Sequence, residues 1–223
     1  NLWQNLLMPT NKWIAGARPR TLPAALAPVL VGTALRHTDH KQIDLINALL
    51  ALLVSLALQV GVNYANDYSD GIKGTDEKRV GPVRLVGSGL ASPRAVKAAA
   101  FLSFAFAATI GTFLAFRTSF ILILIGLVAI AAAWAYTGTS KPYGYQGFGE
   151  LSVFIFFGVV ATMGTYFSAT KIVNWQSFLV SIPVGALSCA LLAINNLRDL
   201  PKDALVGKRT LAVRLGEIKA RAF

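Results

Sequence analysis

Residues 63–90, NYANDYSDGIKGTDEKRVGPVRLVGSGL, set acid and base side by side in one short stretch. Asn63, Asp67 and Asp70 are spaced i, i+4, i+7 and so share one face of a continuing helix. Asp76 follows, and Lys73, Lys78, Arg79 and Arg84 lie close around it. Taken alone, such a cluster reads equally well as a solvated helix end whose carboxylates pair with nearby bases. A second stretch, NNLRDLPKDALVGKRT at 195–210, repeats the arrangement, with Asn195, Asp199 and Asp203 four residues apart and Lys208 and Arg209 behind them. Pro201 interrupts this pattern and threatens the helical alignment. Oxygen ligands without His or Cys suit Mg²⁺, which shares its coordination sphere with substrate phosphates. Lys and Arg then hold the remaining phosphate oxygens. Together these residues describe a diphosphate site, in which a metal ion stabilises the charge of a departing diphosphate.

The rest of the chain must bring the two clusters together. It is 55% hydrophobic and 14% charged, with a mean hydropathy of +0.57, whereas soluble domains carry about 25% charged residues. Six apolar segments are long enough to span a bilayer, at about 15–35, 43–65, 95–116, 119–136, 149–169 and 177–197. Pro23 and Pro28 make the first the weakest. Each acidic cluster follows directly on a span, the second and the sixth. With the N-terminus in the cytoplasm, 17 of the 21 Lys and Arg fall on the cytoplasmic side, as the positive-inside rule requires. The clusters then face the cytoplasm. The net charge of +11 therefore reflects basic loops and an anionic substrate, and no nucleic acid is expected as a partner. The one cysteine, Cys189, lies in an apolar run and reads as a buried thiol. The opening NLWQNLLMPTNKW does not have the pattern of a signal peptide.

NDYSDGIKGTDEKRVGPVRLVGSGLASPRAV and NNLRDLPKDALVGKRTLAVRLG resemble the two signature regions of the UbiA superfamily of intramembrane aromatic prenyltransferases. WIAGARPRTLPAALAPVLVGTAL and YTGTSKPYGYQGFGELSVFIFFG support the resemblance, which covers most of the chain. The wording is nearest the menaquinone branch. The resemblance implies an all-α, multi-span transmembrane bundle of nine helices around a lipid-accessible cavity with cytoplasmic caps. Six helices are counted here, so residues 1–223 are expected to form a single transmembrane domain without the last family helices. It also implies an integral protein of the bacterial plasma membrane, with its active site facing the cytoplasm. The activity implied is Mg²⁺-dependent transfer of a polyprenyl group from polyprenyl diphosphate to an aromatic acid. In the nearest branch that acid is 1,4-dihydroxy-2-naphthoate, and 4-hydroxybenzoate is the alternative acceptor.

The same resemblance assigns roles to residues. Asp67, Asp70 and Asp76 are implied ligands of one metal ion, and Asp199 and Asp203 of another. Asn63 and Asn66 are implied to bind metal or phosphate, Asn195 to bind substrate, and Lys73, Arg79, Arg84 and Lys208 to clamp the diphosphate, with Lys78 and Arg209 as weaker candidates. Arg18 and Arg20, at the mouth of the first span, are candidates for the carboxylate of the aromatic acid, and Lys141, Tyr143 and Glu150 for positioning its ring. His37 and His40 lie in the outer loop and receive no role.

Other classes fit less well. The metal motif of the CDP-alcohol phosphotransferases opens like Asp67-x-x-Asp70-Gly71. It then requires Ala-Arg where Gly74 and Thr75 stand. A cation transporter would carry its acids near the midplane, whereas these sit at span ends beside bases. Soluble prenyl diphosphate synthases share paired aspartate motifs but not this composition.

Overall fold

The computed structural model describes residues 11–40, 42–74 and 82–222, and its elements there are helical. A short helix α1 (Lys12–Ala17) is followed by α2 (Pro23–His40), α3 (Leu45–Ile72), α4 (Pro93–Arg117) and α5 (Ile121–Ala135). After a cap come α6 (Gly149–Thr170), α7 (Trp175–Leu205) and two short helices, α8 (Leu211–Leu215) and α9 (Glu217–Ala222). By length and composition α3, α4, α6 and α7 can each cross a membrane, and α5 is a shorter apolar helix.

The helix starts are written locally. Asp44, Ser92 and Asn174 each accept a main-chain N–H three residues on, capping α3, α4 and α7. The first expected span, 15–35, is instead two pieces. Arg18 adopts a left-handed conformation (φ 53°) ahead of Pro19, a turn covers Pro19–Thr21, and α2 starts at Pro23. A residue before proline avoids the helical region, whereas proline suits the first turn of a helix. Pro28 lies within α2 without ending it.

The two helices that carry the acidic clusters run past the ends read from hydropathy. At 1.5 Å per residue, the 28 residues of α3 reach about 42 Å and the 31 of α7 about 46 Å, against roughly 30 Å of hydrocarbon. The excess is two to three turns, enough to carry Asn66–Asp70 and Asn195–Asp203 past an apolar layer of that thickness. Pro201 does not break α7, so Asp199 and Asp203 remain one turn apart. The carbonyl that Pro201 leaves free lies in this projecting part, where water can satisfy it.

Packing rests on small residues. A Cβ on Gly61 of α3 would stand 2.4 Å from the Phe104 ring of α4, and one on Gly158 of α6 would stand 2.5 Å from Gly185 Cα of α7. Close approach of this kind supplies the van der Waals contact that holds helices together in lipid. Gly158 lies in a π-helical stretch, Phe154–Val160. At the end of the bundle away from the acidic clusters, Arg117 Nε donates to Asn47 Oδ1 (2.8 Å), Asn47 Nδ2 to Ser168 O (2.6 Å), and the Tyr166 hydroxyl to Asp39 (2.8 Å). A mostly apolar cavity of about 330 Å³ remains between α2 and α7. Asn66, Tyr143 and Asn195 line its mouth beside the acidic clusters, and Ala51, Leu122 and Gly164 its far end.

Candidate active site

The projecting end of α3 carries two rows of polar side chains. Residues four apart lie 40° apart around a helix, so Asn63 and Asp67 form one row and Asn66 and Asp70 the next. The first row is turned into the protein. Asn63 Nδ2 donates to Ala17 O (2.8 Å) and Thr21 Oγ1 (2.9 Å), and its Oδ1 accepts from Gln59 (3.2 Å). Asp67 is fully buried, and its two oxygens accept the main-chain N–H groups of Leu85 (2.7 Å) and Val86 (3.0 Å). Leu85 is itself buried in a core cluster with Tyr64, Val96 and Phe104. This clamp fixes the loop within the first signature and sets Arg84 beside Asp70.

The second row faces the site. Asn66 Oδ1 accepts from the Thr137 hydroxyl (2.7 Å). Asp70 accepts from Lys208 Nζ (2.8 Å), Arg84 (3.3 Å) and the Tyr145 hydroxyl. Lys208 Nζ also lies 3.8 Å from Asp203 Oδ1, so one ammonium bridges the two signature regions. The carboxylates of Asp70 and Asp203 are thus within about 7 Å of each other although far apart in sequence. The clusters meet as the two signatures require, although the two helices that carry them do not pack on each other. They stand across the cavity mouth, with α2 and α6 supplying the helix contacts on either side.

The caps complete the site. Lys73 donates to Thr137 O (3.2 Å), and its ammonium and that of Lys208 each lie 4.6 Å from the centre of the Tyr145 ring. Burial pushes the Lys73 pKa below the usual lysine value, with Asp70 opposing and Lys208 reinforcing that shift. The loop after α7 docks on the middle cap through Arg209 N to Tyr145 O (2.8 Å).

The remaining candidates are dispersed. Asp199 pairs with Arg198 (2.8 Å), and Arg198 also donates to Asn195 (3.0 Å) at the cavity mouth. Glu150 is buried and accepts from Asn196 (2.8 Å). The Tyr143 hydroxyl contacts Ala132 O (2.9 Å) and Ser152 (2.8 Å), and burial raises its pKa. Lys141 and Arg20 are exposed. Asp76, Lys78 and Arg79 lie outside the described residues. Sequence reasoning missed Tyr145 and Thr137. Tyr145 stands two residues from Tyr143 in KPYGYQG, and nothing in that string separates them.

Residues 25–223 match the UbiA prenyltransferase family. The chain belongs to the UbiA prenyltransferase family. This UbiA prenyltransferase is an integral membrane protein. It is 56% identical over 210 residues to the 1,4-dihydroxy-2-naphthoate octaprenyltransferase of Mycobacterium tuberculosis, an alignment covering 94% of this chain and 72% of the relative. It is 38% identical to the enzyme of the same name from Escherichia coli, covering 96% and 71%. Its fold is similar to that of a UbiA homolog from Archaeoglobus fulgidus solved with DMAPP and Mg²⁺, with a TM-score of 0.74 at 17% identity, covering 94% and 71% of the two chains.

The residues present suit a divalent cation in donor type. Among the described residues no three acidic, His or Cys side chains stand together as a ready metal cage. Asp70 and Asp203 nevertheless share a cation already, the Lys208 ammonium. A hard ion would take the place of that ammonium between two oxygen donors, leaving Lys208 for phosphate.

Proposed function

We propose that this prenyltransferase transfers a polyprenyl group from polyprenyl diphosphate to 1,4-dihydroxy-2-naphthoate, releasing diphosphate and CO₂ and giving demethylmenaquinol. The site faces the cytoplasm in a bacterial plasma membrane. One observation carries the reading: Lys208 ties Asp70 of the first signature to Asp203 of the second at the mouth of an apolar cavity. The names of the relatives in two bacteria supply the acceptor. Mg²⁺ held by Asp70 and Asp203, when bound, neutralises charge on the departing diphosphate.

The chain's own residues do the rest. Arg84, Lys73 and Lys208 converge on Asp70 and Tyr145, so they are placed to take phosphate oxygens at the cavity mouth. The prenyl tail lies in the apolar cavity, which keeps water from its first carbon. The C–O bond of the donor breaks and the electron pair leaves with diphosphate. The ring carbon bearing the carboxylate bonds to the first prenyl carbon, and the electrons of the C–CO₂ bond return to the ring as CO₂ departs.

Membranes containing the enzyme, given labelled prenyl diphosphate and a panel of aromatic acids, should form product with 1,4-dihydroxy-2-naphthoate and only when Mg²⁺ is present. Full activity after exhaustive EDTA treatment, or product with 4-hydroxybenzoate alone, would sink this assignment. The far end of the cavity gives a second expectation. A Cβ on Gly164 would meet nothing within 4 Å, so Gly164→Phe should occupy open space and shorten the tail accepted. Long-tailed donors should lose at least about tenfold in kcat/KM relative to two-isoprene donors, since one methylene in an apolar pocket changes discrimination by about 10–200-fold. An unchanged ratio by competition assay would remove the cavity as the tail's path.

A further inference from the structure

Lys73 and Lys208 lie far apart in the sequence and carry like charges, yet both ammonium groups rest over one aromatic ring. Each lies 4.6 Å from the centre of Tyr145, well inside the distance at which a ring quadrupole attracts a cation. Tyr145 is itself fixed at two further points. Its hydroxyl donates to Asp70, and its carbonyl accepts from Arg209 N (2.8 Å), the residue after Lys208. The ring therefore contacts the end of α3, the loop after α7 and two cations at once. Lys208 has Asp70 and Asp203 to hold it, but Lys73 has besides the ring only its bond to Thr137 O, and a long flexible stem keeps little geometry of its own against a like charge.

We propose that Tyr145 is the positioning residue of the diphosphate site, its ring presetting the ammonium groups of Lys73 and Lys208 as a pair that meets one diphosphate. This deepens the function proposed above and rests on it. The ring does not react, and its effect is on binding: preset cations lose less freedom when the ligand arrives. The ring and the hydroxyl have separable roles. The ring holds the lysines, whereas the hydroxyl adds a bond to Asp70, which Lys208 and Arg84 already engage.

The test compares Tyr145→Phe, which keeps the ring, with Tyr145→Leu, which removes it, in the purified full chain. Tyr145→Met serves as a second ring-free variant should the Leu variant fail to accumulate. Affinity for inorganic pyrophosphate is measured by calorimetry, and KM and kcat with prenyl diphosphate. Ring-free variants should weaken pyrophosphate binding and raise KM by about tenfold, the product of two modest cation–π contacts, with kcat within about threefold of wild type. The Phe variant should stay within about threefold of wild type in both. Equal effects of Phe and Leu, an unchanged KM in the ring-free variants, or a fall confined to kcat would overturn the proposal. Wild-type protein that binds no pyrophosphate would sink the diphosphate reading together with this one. Tight binding by wild type and ring-free variants alike would sink this one alone.

Discussion

Asp70→Ala is expected to lower turnover by at least about 10²–10³-fold, the loss typical when one preorganised electrostatic partner of a transition state is removed. Asp70 is 4% exposed and accepts from Lys208, Arg84 and Tyr145. Truncation would leave two buried cations without this partner, and breaking a buried pair costs roughly 3–5 kcal/mol. Asp203 lies 3.8 Å from Lys208 and would draw it away. Asp70→Asn keeps the volume and one acceptor but loses the charge, so it should restore stability before activity. Single-turnover rates with saturating prenyl diphosphate and Mg²⁺ measure the effect. Wild-type rates in Asp70→Ala would mean that the site lies elsewhere.

Asp67→Ala should fail differently, although Asp67 stands only three residues from Asp70. Both its oxygens are taken by the N–H groups of Leu85 and Val86 inside the protein. Each buried donor left without a partner costs about 1–3 kcal/mol. For a chain of this size, 1 kcal/mol corresponds to roughly 2–4 °C in Tm, so the Ala variant should melt at least about 4 °C lower. Asp67→Asn, which retains one acceptor, should fall between. The decisive comparison is made in EDTA without substrate. A residue that served only as a metal ligand would leave that Tm unchanged, and such a result would refute the loop clamp described here.

The contrast between these two aspartates shows what the sequence could and could not reveal. Their spacing places Asn63, Asp67 and Asp70 on one broad face, and the helix does carry them there. What spacing alone could not resolve was the 60° between Asp67 and Asp70, which sends one to a backbone loop and the other to the cavity mouth. That loop's position depends on Leu85 entering the core, a tertiary fact with no periodic signal. The apolar spans were legible because twenty apolar residues have few alternatives to a membrane helix. The ends that carry the acidic clusters were not, because α3 and α7 continue helically through polar sequence that hydropathy treats as loop. Tyr145 was invisible for another reason: its partners Lys73, Asp70 and Lys208 lie far away in sequence and meet only when the caps close.

The bridge between the signatures also dates the site within the life of the molecule. Asp70 and Lys208 are separated by 138 residues. At about 5–20 residues per second of synthesis, Asp70 emerges roughly 7–28 s before the lysine that neutralises it exists. For that interval Asp70, at the end of a finished membrane helix, has Arg84 to pair with but not the lysine that links the two signatures. It must stay at the aqueous surface, because a carboxylate in hydrocarbon is costly. The length of α3 in excess of what hydrocarbon requires is therefore also a provision for assembly: it gives the unfinished site a place to wait in water.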